Sequence, residues 1–262
     1  MSVVLIEQQV VHYEVLGRGR PLIFLHGWVG SWRYWVPVMQ AVSANYRAYA
    51  LDLWGFGDTA KSQVRYSLNN QIRLVDGFLY EMGIGRVVLV GHGLGAAIAV
   101  LYALRNPGVV DRVMAVSCPM DEARVSARLR SASPTELADW LMGKSELTEP
   151  VRTDAPKTDP QALTASITDI SASEIKEAYF RLSTPCLFVD GLYDPAVAPP
   201  DQDGPLQQMY NIHSMIFEQS GHFPMLDESA KFNRLLIDFL SLASGESPRQ
   251  LQMKEEWKRR VR

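Results

Sequence analysis

The chain has 262 residues, 47% of them hydrophobic, which suits one domain, or one domain with an insertion, around a large core. A formal net charge of -3 gives no electrostatic case for nucleic acid. Two cysteines, Cys118 and Cys186, make no disulfide framework, and the apolar run in "MSVVLIEQQVVHYEV" lacks a basic start and is too short for a signal peptide or a membrane span. A cytoplasmic protein is expected.

Val3 to Val15 reads as two strands meeting near Glu7 and Gln8, and "GRGR" as a turn. "PLIFLHG" is a continuous apolar run ending in glycine, the pattern of a strand buried on both faces. Trp32 to Val42 predicts a helix, and "RAYALDLWG" a second buried strand. Ile72, Val75, Leu79 and Met82 recur at helical spacing. "RVVLVGHG" predicts a strand, followed by a helix from Leu94 to Asn106 that Pro107 stops. "DRVMAVSC", "PCLFVDG" and "SMIFEQSGH" predict three more strands, and Glu228 to Leu242 a last helix.

Strands alternating with helices imply an α/β fold: a mostly parallel sheet with helices on both faces. Residues 119–182 interrupt the alternation and carry helical pieces such as "PTELADWLMG", so a helical cap is expected there. The core is then discontinuous, 1–118 and 183–245, with a charged tail at 246–262. In that tail Met253, Trp257 and Val261 fall on one helical face, which predicts a solvated helix laid against the body.

Five stretches form a pattern in chain order: "FLHGW", "LDLWGFGDT", "GHGLG", "GLYDPAV" and "SGHFPMLDES". Together they resemble the α/β-hydrolase fold family, most closely its esterase-like and C–C-hydrolase-like members with a short helical cap, over roughly Val11 to Leu242. The resemblance implies that "GHGLG" is a nucleophile elbow, that Asp194 is the acid and that His222 is the histidine. It also implies an oxyanion hole made by the backbone N–H groups of Trp28 and Leu94.

The departure is Gly93, which stands where the family has a serine. Without oxygen or sulfur there is no acyl-enzyme route at this position. Losing a triad nucleophile costs on the order of 10⁶ in turnover. Glycine also relieves the strain that a side chain bears at an elbow.

The remaining candidates have plain readings beside functional ones. His26 and His92 flank the oxyanion loops, either as substrate contacts or as hydrogen-bonded loop histidines. A metal site from His26, His92 and His222 has no ligand spacing behind it, so no metal and no cofactor are expected. Cys118, beside Ser117, is a substitute nucleophile or a buried strand-end thiol. Trp28 reads as pocket lining and Trp35 as core. "GRGRP" and "GFGD" are turns that only resemble phosphate loops.

Three functions are compatible with these residues. The first is hydrolysis of a small ester-like substrate, abolished or strongly impaired by Gly93. The second is non-catalytic binding of a small apolar ligand or a partner. The third is a serine-independent enzyme with His222 and Asp194 as general base, of lyase or cofactor-free oxygenase type. Neither a nucleic-acid nor a membrane partner is expected, and the sequence gives no oligomeric state.

Overall fold

The computed structural model describes residues 2–120, 122–142, 148–172, 175–201, 204 and 208–251. Eight strands build one sheet: β1 (Ser2–Ile6), β2 (Gln9–Gly17), β3 (Arg20–Leu25), β4 (Tyr46–Leu51), β5 (Val87–His92), β6 (Val110–Val116), β7 (Cys186–Gly191) and β8 (Ile212–Phe217). Their spatial order is β1-β2-β4-β3-β5-β6-β7-β8. β2 pairs antiparallel with β1 and β4, and every other pairing is parallel. This is the mostly parallel sheet that the alternation implies.

Continuous apolar runs become the central strands. Leu22 to Leu25 and all of β5 are buried, as a sheet covered on both faces requires. Three helices follow strands in the first half: α1 (Val36–Val42), α2 (Leu68–Glu81) and α3 (Leu94–Arg105). Ser67 caps α2 by accepting the Asn70 N–H, and the buried face of the helix carries Leu68, Ile72, Val75 and Leu79. Each such side chain contributes about 1.5–3 kcal/mol on burial.

The helix expected from Trp32 to Val42 is in two pieces. Trp32–Trp35 forms a 3-10 turn before α1, capped by Ser31. Pro37 supplies no N–H at the junction, so a continuous α-helical ladder is unavailable there. The strand expected through "SMIFEQSGH" stops at Phe217. Glu228 takes the Gln219 N–H and the Ser220 hydroxyl, which turns the chain away and puts His222 on a loop. A short helix, α4 (Pro224–Asp227), precedes the last one, α5 (Ser229–Ser241). α5 packs with α1 on one side of the sheet, and α2 packs with α3 on the other.

Among the described residues, 119–182 hold five α-helices: αA (Arg128–Ser131), αB (Pro134–Leu141), αC (Glu149–Asp154), αD (Pro160–Ala172) and αE (Ile175–Arg181). αE packs against α3, and Tyr179 meets Phe188 of β7 edge to face at 5.5 Å. The segment before αE is pinned to the loops after β3 and β4. Asp154 accepts from the Ser31 hydroxyl and from Arg33 Nε at 3.0 Å. Lys157 bridges Asp154 at 3.1 Å and Asp58 at 3.0 Å, and Tyr66 donates to Asp159 at 2.6 Å.

The tail begins with a 3-10 turn at Pro248–Gln250, and the helical face of Met253, Trp257 and Val261 lies outside the described residues. No helix among the described residues is long and apolar enough to cross a membrane.

Candidate active site

The chain leaves β3 for β4 on one side and returns to β5 on the other, so the carboxyl ends of β3 and β5 lie together at a reversal of strand order. Ligand crevices in open α/β sheets form at such a point. The loop from His26 to Ser31 and the corner at Gly93 meet there.

The corner is tight. A Cβ at Gly91 would collide with the Gly95 carbonyl, and one at Gly95 with the Leu25 carbonyl. Gly93 itself has φ 51° and ψ -113°. That is a conformation a side chain bears only under strain, and glycine occupies it freely. Gly93 N–H donates to the Val116 carbonyl at 2.9 Å, fixing the corner against β6. Leu94 opens α3, so its N–H has no acceptor within the helix and points out of the positive end of the helix dipole. The Trp28 N–H has no hydrogen-bond partner among the described residues.

Asp194 and His222 come together on the loops after β7 and β8. His222 Nδ1 donates to Asp194 Oδ2 at 2.8 Å. Asp194 Oδ1 accepts from the Ala196 and Val197 amides at 2.8 and 3.0 Å. A single bridge from Val125 to Val197 ties this loop to the entrance of the cap. Burial pushes the Asp194 carboxyl up. The His222 imidazole and the two amides outweigh that and hold it below the usual carboxylate range. With its Nδ1 proton given to Asp194, His222 presents a bare Nε2. That atom is buried and has no partner among the described residues.

Trp28 packs between the elbow and this histidine. A Cβ at Gly93 would lie 3.2 Å from Trp28 Cε3, and the indole is stacked on the His222 ring at 6.3 Å between centroids. Trp28 is fully buried, and its Nε1 also lacks a partner among the described residues. Trp35 lies in the core, against Phe24.

Two expected substrate contacts are not available as such. His26 Nδ1 donates to the Gly27 carbonyl at 2.8 Å, and Nε2 accepts the Leu53 amide at 3.0 Å. His92 is likewise saturated, by Tyr34 at 2.9 Å and by the His222 carbonyl at 2.8 Å. Burial lowers both imidazoles and keeps them neutral, most strongly for His92. Both are interior supports, with no ring nitrogen left for a ligand. Cys118 is not a substitute nucleophile either: burial pushes its thiol up, and Sγ shares a 3.1 Å hydrogen bond with Tyr179.

Sequence reasoning missed Tyr34 and gave Ser117 no role beside the base. The Ser117 hydroxyl donates to the His222 carbonyl at 3.1 Å, from a backbone with φ 45°. Among the described residues, His12, Asp52 and Asp58 form the group whose atoms could hold a metal ion. Lys157 already neutralises Asp58, and Asp52 Oδ2 already accepts from His12 at 3.0 Å and from the Asp58 amide at 3.0 Å.

The profile of the Alpha/beta hydrolase family matches residues 22–235. A pimeloyl-[acyl-carrier protein] methyl ester esterase of Vibrio cholerae is 25% identical, over 87% of this chain and 97% of its own length. A 2-hydroxy-6-oxo-6-(2'-aminophenyl)hexa-2,4-dienoic acid hydrolase of Metapseudomonas resinovorans is 23% identical, over 87% of each chain. The crystal structure of the enol-lactonase from Burkholderia xenovorans superposes with a TM-score of 0.80 at 18% identity, over 92% of this chain and all of that one. The last likeness is one of fold.

Proposed function

From a chain that belongs to the alpha/beta hydrolase family, we propose a hydrolase that works without a covalent nucleophile, on small and mostly apolar ester-like carbonyl compounds. The observation that carries this reading is the retained base. Asp194 holds His222 at 2.8 Å, Nε2 is buried and unpartnered among the described residues, and the elbow carries no side chain at Gly93. An imidazole nitrogen so placed can accept a proton from a water or a substrate.

In this reading His222 Nε2 takes a proton from water as the water oxygen attacks the carbonyl carbon. The oxygen of the tetrahedral intermediate accepts hydrogen bonds from the Trp28 and Leu94 amides. Collapse breaks the bond to the leaving oxygen, and that oxygen receives the proton from His222. Ester and water become acid and alcohol, and no residue is acylated. Without the nucleophile, turnover falls by roughly 10⁶ from that of an intact triad. The oxyanion hole and binding supply part of what remains, and general-base catalysis by His222 supplies a further factor of about 10²–10⁴.

The test is steady-state and stopped-flow hydrolysis of 4-nitrophenyl acetate and butyrate by the wild type, His222→Gln and Asp194→Asn. Slow, single-phase release without a burst is expected in the wild type, falling by about 10² or more in His222→Gln. A burst with a covalent adduct in mass spectrometry, or turnover indifferent to His222, would sink the reading. A second reading draws on Trp28, whose buried ring closes over Gly93: the chain binds a small apolar ligand and turns nothing over. Saturable binding of an uncleavable ester analogue in a protein without turnover would favour it.

A further inference from the structure

We propose that His92 is a positioning residue for His222, acting on the main chain of the base and on no ligand. The inference rests on the reading of His222 as the base, but its geometry stands apart from any reaction. The His222 carbonyl accepts two side-chain hydrogen bonds, from His92 Nε2 at 2.8 Å and from the Ser117 hydroxyl at 3.1 Å.

The protons in this chain are fixed by elimination. The Gly27 amide donates to the Tyr34 oxygen at 2.8 Å, so the Tyr34 hydrogen is free for His92 Nδ1 at 2.9 Å. His92 Nδ1 is therefore the acceptor, and Nε2 carries the only imidazole proton. That proton goes to the His222 carbonyl. Protonating His92 would put a second hydrogen on Nδ1, against the one Tyr34 supplies. Burial already holds the ring neutral.

One hydrogen bond satisfies a loop carbonyl. Here there are two, and the second comes from a serine in a left-handed backbone that non-glycine residues seldom adopt. A filler histidine would need neither the order of protons nor the strained neighbour. The chain also reaches the other half of the site, because Gly27 directly precedes Trp28. One interior histidine thus sets the loop of the base against the loop of the oxyanion hole, although His222 lies 130 positions from His92. Positions that must agree within about 0.5 Å need this kind of support.

The test reads the proton between His222 Nδ1 and Asp194 by NMR in the full, histidine-labelled chain. The signal is assigned by its loss in His222→Gln. His92→Phe keeps the shape and removes both hydrogen bonds, whereas His92→Gln keeps an amide donor. Solvent exchange of the proton is expected to quicken at least tenfold in His92→Phe and to stay within about threefold of wild type in His92→Gln. A folded His92→Phe with wild-type exchange overturns the proposal, as does equal behaviour of the two variants. If His92→Phe does not fold, Tyr34→Phe removes the donor to Nδ1 from the far end. Faster exchange is again expected, and an unchanged rate again overturns it. Hydrolysis of 4-nitrophenyl acetate is measured on the same samples. A wild type without turnover removes the proposed hydrolysis and leaves the positioning result standing, since the proton signal needs no substrate.

Discussion

Trp28 Cε3 lies 3.2 Å from the point where a side chain at Gly93 would begin. A serine there would have to bear φ 51° and ψ -113° and push the indole back by a few tenths of an ångström. The strain alone costs about 1–3 kcal/mol. Gly93→Ser is expected to lose that much in urea unfolding and to show a weak nitrophenol burst. Adding Trp28→Leu to Gly93→Ser should enlarge the burst. A Gly93→Ser variant as stable as wild type, with a burst that Trp28→Leu leaves unchanged, would show that ring and hydroxyl do not compete.

Asp190 predicts a pH effect of known sign. It is fully buried, and its Oδ2 has no partner among the described residues. Burial pushes its carboxyl well above the usual range, and the nearby Asp194 charge adds to this. The folded chain thus keeps a proton that the unfolded chain releases above about pH 3.9. Stability from this group falls as pH rises, by about 1.4 kcal/mol per unit, until the folded group ionises. Asp190→Asn carries no such dependence. Its stability relative to wild type should grow from pH 4.5 to 7.5, and a gap that stays flat in urea unfolding would refute the assignment.

What could be read from the sequence was local. Ile72, Val75 and Leu79 mark one helix face without reference to anything distant. Gly91 marks the elbow, because its collision with the Gly95 carbonyl arises within the strand–turn–helix unit itself. That His222 and Asp194 meet was legible through chain order. What stayed hidden depends on partners far along the chain. Tyr34 reaches His92 across 58 positions, and Ser117 reaches His222 across 105. Distant partners also decide between the two readings of His26 and His92. The Leu53 amide, 27 positions from His26, and the His222 carbonyl, 130 positions from His92, take up ring nitrogens that a substrate contact would need. The packing of αE against α3 is likewise without a local signal in the sequence.

The two thiols give a direct measure of how closed the fold is. Cys118 and Cys186 are buried, and burial pushes both thiols up. A disulfide reagent added at pH 8 should label neither in the native protein and both in urea. At high reagent concentration, where labelling outpaces refolding, the rate is expected to level off at the rate of unfolding. Fast native labelling of Cys118 would mean that its bond to Tyr179 opens on its own, and would restore it as a reactive group.

Asp154 joins the cap to the segment that carries Trp28 and Tyr34. Its carboxylate receives Ser31 and Arg33 from that segment and Lys157 from the cap. Burial raises the group, and these three partners outweigh it and hold it below the ordinary range. A depressed carboxylate contributes stability that is complete above about pH 3.9 and lost as pH falls through its folded value. The latch should therefore hold at neutral pH and release only in acid, below about pH 4. Asp154→Asn removes the charge at all pH values and leaves Ser31 buried with a weaker partner, at a cost of about 1–3 kcal/mol. Amide exchange is expected to quicken at least tenfold across Trp32–Trp35 and αC, with β5 unchanged. Ester turnover, if limited by entry, rises in the same variant. Exchange that quickens equally in β5 would mean that the whole domain had loosened, and that Asp154 is a structural ion pair with no hold on the cap.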